Sequence, residues 1–93
     1  MPRFHWDAAN RKHLARHGVK PQEAEQAILD PHMIVVDVEH VGGEERSRVV
    51  GMTRKGRVLT SAFTFRGDAI RPITAFDAVA RDQKSYFEAK EAI

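Results

Sequence analysis

Residues 46–65 read Arg-Ser-Arg-Val-Val-Gly-Met-Thr-Arg-Lys-Gly-Arg-Val-Leu-Thr-Ser-Ala-Phe-Thr-Phe. Two runs rich in β-branched and aromatic residues, 46–53 and 57–65, are joined by a short connection that contains Gly56. Such a pattern predicts a β-hairpin, because these residue types favour strands and glycine allows a tight turn. We therefore expect a sheet at the centre of the fold.

The sequence on either side of this hairpin extends the sheet. Residues 33–38 form a β-branched run that predicts a strand, and residues 69–75 predict another. Turns are expected at Gly42-Gly43 and at residues 66–68. Pro72 interrupts the last strand, and because proline cannot donate to a sheet ladder, it implies a sheet edge or a bulge.

Helices are expected at both ends of the chain. Asp7 can cap a helix from Ala8 to about His17, and Gly18 stands where a left-handed terminator is expected. The remaining boundaries are a second helix from Pro21 to the Asp30-Pro31 pair, and a last helix from Ala78 to about Glu91 that Asp77 can cap. The fold class is thus predicted as α+β: one domain over residues 1–93, with two N-terminal helices, a four-stranded antiparallel sheet and a C-terminal helix, the helices packed mainly on one face.

Composition excludes several classes of protein. The chain has no cysteine, so disulfides and thiol catalysis are excluded. It has no apolar run near the ~20 residues of a membrane span, and its N-terminus lacks the apolar core of a signal peptide. The cytoplasm is therefore the expected location. The sequence contains neither a G-x-S-x-G nucleophile motif nor a phosphate-binding glycine loop.

Positive charge is concentrated in the predicted strands. Between Arg46 and Arg71 there are seven Lys or Arg residues against one acid, a balance of +6. The whole chain carries only +2, so the remaining residues sum to −4. Such a polarised distribution is typical of a protein whose partner is rich in phosphate. Protonation of all five histidines would raise the formal charge to +7, so polyanion affinity should rise as pH falls.

Three arginines are candidates for a phosphate clamp. Strand alternation places Arg46 and Arg48 on one face, and Arg71 lies two strands away. Guanidinium groups bind phosphate oxygens in a two-pronged fashion, so three of them on one sheet surface suit a nucleic-acid ligand. The alternative is an ordinary solvated sheet face.

Histidines and aromatic residues offer further candidates. His13 and His17 stand four residues apart on the first helix, a spacing that suits metal binding only with a third ligand. His17 can equally stabilise the helix C-terminus, contact phosphate, or act as a proton donor or acceptor. Trp6 lies in an extended arm that we expect to pin the helix to the sheet, with base stacking as the alternative. Tyr86 is a packing residue that could also direct a hydroxyl into a site.

The chain resembles the BrnT family of bacterial toxins along nearly its whole length. The matching residues are Phe4, Trp6-Asp7, His17-Gly18-Val19, Glu23-Ala24, Asp30-Pro31, Gly43-Glu44-Glu45-Arg46, Gly51, Gly56-Arg57, Leu59, Ile70-Arg71, Ile73-Thr74-Ala75 and Tyr86. The resemblance implies a RelE-like ribonuclease fold and RNA cleavage without a metal or other cofactor, which blocks translation. It also implies a ribbon-helix-helix antitoxin of the BrnA type. The toxin–antitoxin complex would bind operator DNA through the antitoxin.

The resemblance also suggests site residues. Arg46 and Arg71 match basic positions of the family and are the expected catalytic cations, with His17 the candidate for one proton transfer. Expected contacts to the RNA substrate are Arg48, Arg57, Trp6 and Tyr86.

One stretch departs from the family pattern. Phe76 and Asp77 stand where the family commonly has an arginine followed by another basic residue. A weakened or inactive member that acts as a binding module in a DNA-binding complex with its antitoxin is therefore the alternative. A small basic domain with an unrelated protein partner is the third possibility.

Overall fold

The sheet has five strands, and its order departs from the sequence order at one place. A computed structural model describes residues 2–92. The elements are β1 (Arg3–Phe4), α1 (Ala8–Ala15), α2 (Pro21–Ile28), β2 (Ile34–Val41), β3 (Glu44–Met52), β4 (Val58–Arg66), β5 (Ala69–Asp77) and α3 (Ala80–Glu91). The strands lie in the order β1-β5-β4-β3-β2. The α+β class is confirmed, with three helices on a mixed sheet.

The predicted hairpin between β3 and β4 is confirmed, and two further hairpins flank it. β2 joins β3 through Gly42 and Gly43, whose φ angles are 58° and 78°. Two successive positive φ angles define the hairpin turn whose twist matches that of the strands, and glycine adopts them without strain. The meander from β2 to β5 is therefore antiparallel throughout.

The predicted four-stranded antiparallel sheet is wrong in one respect, because β1 adds a fifth, parallel strand. Arg3 pairs with Ala69 and Phe4 with Ile70, and the His5 N–H donates to the Ile70 carbonyl at 2.8 Å. A two-residue strand is too short to show alternation in the sequence. The expected extended arm is present, and it is held as a strand.

Pro72 lies at a bulge, as predicted. Ala62 pairs with Thr74, whereas the next residue, Phe63, pairs with Pro72, so Ile73 is the extra residue. The Pro72 carbonyl accepts a hydrogen bond from the Asn10 side chain in α1 at 3.0 Å. The bulge therefore also provides an anchor for the first helix.

The predicted caps of α1 are confirmed, but the predicted cap of α3 is wrong. The Asp7 carboxylate accepts from the Asn10 N–H at 3.0 Å, and Gly18 follows the helix with a φ of 65°. Val79, not Asp77, is the N-cap residue of α3, because Asp77 is the last residue of β5. Within residues 2–92, none of the helices is long and apolar enough to cross a membrane.

The helices cover both faces of the sheet. Neighbouring residues of β3 point to opposite sides: Val49 packs with Ile28 of α2, whereas Val50 packs with Tyr86 of α3. α1 and α2 lie over β3, β4 and β5, while α3 lies mainly over β2 and β3. Half of the α3 side of the sheet is thus left open.

The distance between α2 and the sheet depends on Gly51. A Cβ atom at this position would lie 1.9 Å from the backbone oxygen of Ala27. Only glycine allows α2 to come this close to β3, because the nearest atoms belong to a backbone that cannot rotate away.

We expect Gly51→Ala to lower the free energy of unfolding by about 3 kcal/mol or more, since α2 must move off the sheet. Urea denaturation followed by circular dichroism measures this change. Ser47→Ala, on the same strand and face, is the control and should stay within about 0.5 kcal/mol. Equal stability of the two variants would contradict the close approach.

Candidate nucleic-acid interface

The open half of the α3 side of the sheet brings two of the predicted arginines into one row. Thr64 of β4 pairs directly with Arg71 of β5. Ser47 pairs with Phe63, so the next position of the same register sets Arg46 beside Thr64. The Thr64 hydroxyl donates to the Glu45 carbonyl at 2.9 Å, which ties the strands together at this point. Arg46, Thr64 and Arg71 therefore lie side by side across three strands.

Three more arginines share this surface. Arg48 follows Arg46 by two residues, and Arg66 follows Thr64 by two, so both point to the same side. Arg3 of β1 pairs with Ala69, whose other neighbour across the sheet is Arg66. We call the set the arginine face; its members are Arg3, Arg46, Arg48, Arg66 and Arg71.

His5 also belongs to this side of the sheet. Phe4 packs into the core beneath α2, so the residues before and after it point the opposite way. A pocket of about 380 Å³ is lined by His5 together with Arg3 and Arg66. The larger cavity, of about 560 Å³, lies between α2 and α3 and is lined by none of the arginine face. The smaller pocket is therefore the one that bears on this surface.

Most of these arginines already hold a carboxylate. Arg3 pairs with Asp68 at 2.9 Å, while Arg46 and Arg66 share Glu44 at 3.4 and 3.7 Å. Ion pairs on a solvated surface contribute only about 0–1 kcal/mol, so phosphate oxygens can replace the carboxylates. These ion pairs hold the three guanidinium groups in position while leaving them accessible to solvent.

Asp7 joins the arginine face to α1. Its carboxylate accepts from Arg71 at 2.8 Å, and the Nε2 atom of His5 lies 3.9 Å from the same oxygen. The backbone N–H of Asn10, and then Arg71, hold the pKa of Asp7 below its usual value. Asp7 is thus kept ionised between an imidazole and a guanidinium.

His17 lies away from the two arginines with which the sequence had grouped it. Its ring is 6.1 Å from that of His13 and 5.8 Å from that of Phe76. Phe76 pairs with Thr60, and Arg71 pairs with Thr64. Four residues of strand separate these positions by about 13 Å. The structure thus brings Arg46, Arg48 and Arg71 together and leaves His17 at the far end of β5.

Arg57, a predicted RNA contact, is engaged inside the fold. Its Nε atom donates to Asp77 at 2.7 Å, and its Nη1 atom donates to the Gly18 carbonyl at 2.9 Å and to Glu23 at 3.2 Å. Asp77 and Glu23 raise the pKa of Arg57, and Arg57 in turn lowers the pKa of Asp77. The side chain ties the turn after α1 to the ends of β4 and β5.

Tyr86 is another predicted contact that the structure places in the core. The residue has no exposed surface, and its hydroxyl donates to Asp30. Burial, together with this hydrogen bond, raises the pKa of Tyr86 to about 12. Asp30 also accepts from the Met52 N–H at 2.8 Å and the His32 N–H at 2.9 Å. Tyr86 therefore joins α3 to the end of α2 and to β3.

Trp6 is partly buried beside α1. Its indole N–H donates to Glu25 at 2.8 Å, and the Arg11 guanidinium lies 5.8 Å from the centre of the ring. The ring packs against the core cluster that contains Leu14. Of the two roles considered for Trp6, these contacts favour the arm that pins α1.

The two departures from the family pattern point to opposite sides of the sheet. Asp77 pairs with Leu59, which packs beneath α1 and α2, whereas Phe76 pairs with Thr60 on the α3 side. The Asp77 carboxylate is paired with Arg57 and lies on the side of the sheet opposite to the arginine face. The negative charge of Asp77 is therefore no obstacle to an anion on that surface.

Sequence reasoning missed His5, Arg3 and Arg66 as neighbours of Arg71. Arg66 was counted in the basic segment, but its face depends on the bulge and on the register of β5. His5 and Arg3 reach the site only through the parallel pairing of β1. The alternation of His5 with Phe4 and Trp6 was the only indication in the sequence.

The fold and this surface define a small α+β protein whose open sheet face carries five arginines. A family model described as "Ribonuclease toxin, BrnT, of type II toxin-antitoxin system" matches residues 6–82. The chain therefore belongs to the BrnT family of ribonuclease toxins. None of the curated proteins searched matches it.

Replacing Tyr86 tests the link between α3 and Asp30. We expect Tyr86→Phe to lower the free energy of unfolding at neutral pH by about 1–3 kcal/mol, because a carboxylate loses a donor while staying half-buried. Ser85→Ala removes an exposed hydroxyl from the same helix and serves as the control. Equal melting temperatures for the two variants at neutral pH would contradict this role.

The dependence of the melting temperature on pH at acidic pH gives a second test of the role of Asp30. Burial alone would raise the pKa of Asp30, but hydrogen bonds from Tyr86 and two backbone N–H groups hold it below its usual value. A lowered folded-state pKa stabilises the fold above the unfolded value and is lost as pH falls through the folded one. The melting temperature should thus fall below about pH 4, and it should fall less steeply in Tyr86→Phe.

Proposed function

We propose that this BrnT-family chain is an active endoribonuclease that cleaves RNA on the arginine face without a metal ion. The observation that carries the proposal is the row of Arg46, Thr64 and Arg71, with His5 beside it across Asp7. Two arginines on one sheet face, with only the Thr64 strand between them, suit a phosphate whose negative charge grows during the reaction.

The proposed reaction uses the 2′-hydroxyl group of the RNA itself as the nucleophile. The ribose 2′-oxygen attacks the adjacent phosphorus, the bond from phosphorus to the 5′-oxygen breaks, and a 2′,3′-cyclic phosphate and a 5′-hydroxyl form. One group takes the proton of the 2′-hydroxyl, and another gives a proton to the leaving 5′-oxygen. Arg46 and Arg71 stabilise the charged intermediate, usually the largest contribution to such a rate.

His5 is better placed than His17 for a proton transfer beside Arg71. Its imidazole lies 3.9 Å from the Asp7 oxygen that also binds Arg71, so a side chain that can carry a proton stands next to that guanidinium. Arg48, exposed on the same face, binds a neighbouring phosphate. Arg57 and Tyr86 act indirectly, because they hold the sheet ends and α3 in place.

The family implies an antitoxin partner, and we propose that it is a ribbon-helix-helix protein of the BrnA type. Operator DNA is then bound through the antitoxin and not by the toxin itself. We also propose that the arrangement of sheet and helices is RelE-like and that the protein acts in the cytoplasm, where RNA and ribosomes are found.

The second candidate function is a binding module with little or no cleavage activity. It is favoured by Phe76 in place of the family's arginine, and by the carboxylates that already occupy Arg46 and Arg71. Purified protein incubated with RNA in EDTA separates the two functions. Cleavage that persists in EDTA and leaves cyclic phosphate ends supports the nuclease; bound but intact RNA supports the module.

Replacing either central arginine should reduce the cleavage rate by about a hundred- to a thousandfold, because each removes a charge partner of the intermediate. The variants are Arg46→Ala and Arg71→Ala, and cleavage of a labelled RNA is the measurement. Lys55→Ala in the exposed turn before Gly56 is the control. Since Arg71 also binds Asp7, melting temperatures are compared, and full cleavage by both folded variants would remove these arginines from the site.

His5 gives a separate prediction. His5→Gln should lower kcat by about a hundred- to ten-thousandfold and remove one limb of the pH profile, because glutamine is a polar side chain of similar size but cannot carry a proton. His40→Gln is the matched control, since His40 lies on β2, at the sheet edge opposite β1, and pairs with Glu45. An unchanged pH profile in His5→Gln would exclude His5 as the proton carrier.

A further inference from the structure

The free positive charge of this protein lies on α1 and not only on the strands. In the basic segment of residues 46–71, four of the seven Lys and Arg residues are held in ion pairs, namely Arg46, Arg57, Arg66 and Arg71. Residues 8–22 contain no acid at all. The residues outside the basic segment sum to −4, so the positive charge of α1 is not apparent from the overall balance.

Four exposed residues form a strip along α1, its C-cap and the turn residue that follows, which we call the α1 ridge: Lys12, His13, Arg16 and His17. Their spacing of one, four and five residues places them on a single side of a helix. Among the ion pairs formed by residues 2–92, none involves any of the four. The ridge therefore presents two uncompensated cations and two imidazoles to solvent.

The ridge ends against an aromatic ring. His17 lies 5.8 Å from Phe76, with the two rings inclined by 57°, and Phe76 remains partly exposed. β1 pairs with β5 only at Ala69 and Ile70, so the edge of β5 near Phe76 carries no neighbouring strand within residues 2–92. An accessible ring at the end of a strip that carries unpaired cations is a combination that single-stranded nucleic acids bind, with bases stacked and phosphates on the cations.

Phe76 connects the ridge with the arginine face. Thr60 and Thr64 are four residues apart on β4, so their partners Phe76 and Arg71 point to the same side of the sheet. About 13 Å of β5 separates them. A strand of RNA bound at Arg71 can thus run along β5 to Phe76 and turn around the sheet edge onto α1.

We propose that the α1 ridge and Phe76 form a second subsite, which binds the single-stranded RNA that flanks the cleaved bond. Lys12 and Arg16 contact its phosphates, and one base stacks on Phe76 beside His17. The inference rests on the proposed function, since it names how the same substrate is held. Phe76 then replaces the family's arginine with a stacking contact, so this position still binds RNA.

Binding to an uncleavable probe tests the subsite apart from catalysis. The probe is a fluorescent single-stranded 2′-O-methyl RNA, which lacks the attacking hydroxyl, and anisotropy is the measurement. The Lys12→Gln/Arg16→Gln variant should lose about tenfold or more in affinity, and its log–log salt slope should fall by about 1.4, as expected for two phosphate contacts on a single strand. Lys84→Gln/Lys90→Gln, the same charge change on α3, should leave both nearly unchanged.

The stacking contact has its own variants. Phe76→Leu keeps an apolar side chain but removes the aromatic face, and it should weaken binding about fivefold or more. Phe76→Tyr should bind like the original protein. Equal losses in both variants, or equal affinity for a duplex RNA probe, would overturn the assignment of a single-stranded subsite.

Cleavage measurements separate this inference from the proposed function. With a long RNA substrate, the ridge variant should raise KM while kcat stays unchanged. A protein that binds the probe through the ridge but cleaves no RNA refutes the nuclease and keeps the subsite. A ridge variant with unaltered probe affinity and unaltered KM refutes the subsite alone, and weakened antitoxin binding in that variant would assign the ridge to a protein partner instead.

Discussion

The carboxylate of Asp7 is the constraint on which fold and site both depend. One of its oxygens accepts the Asn10 N–H that begins α1, and the other accepts the guanidinium of Arg71 on β5. The direction of α1 and the position of Arg71 therefore cannot be set independently. Because His5 approaches the second oxygen, the same group also orders the proposed proton carrier. A change at Asp7 disturbs a helix cap and the charge arrangement of the site at once.

Much of the fold could be read from local sequence patterns. The hairpins from β2 to β5 followed from β-branched runs separated by glycine turns, and the bulge followed from Pro72. The parallel strand β1 could not be predicted, because two residues carry no periodicity and their partner lies more than sixty residues away. The start of α3 was missed because Asp77, a good helix cap by type, continues β5 and binds Arg57 instead.

The candidate site was only partly readable. Alternation along β3 gave Arg46 and Arg48 a common face, and the basic segment drew attention to Arg71. Which arginines are held by carboxylates is a matter of tertiary structure, so Arg57 looked like a substrate contact although it ties α1 to the sheet. Tyr86 was misjudged for a related reason: its donor role toward Asp30 joins residues that are far apart in sequence. The positive charge of the α1 ridge could not be seen in the net charge of −4 outside residues 46–71, because acids elsewhere outweigh it.

The parallel pairing of β1 with β5 affects the order in which the fold can form during synthesis. The three hairpins connect neighbours in the chain and can form as each emerges from the ribosome, whereas β1 must wait for a strand that is synthesised almost last. His5 and Asp7 meet Arg71 only through that late closure. A nascent chain that ends before β5 would lack the arrangement on which the proposed nuclease depends. For a toxin family, this order would leave an incomplete polypeptide without the proposed site until almost the whole chain is made.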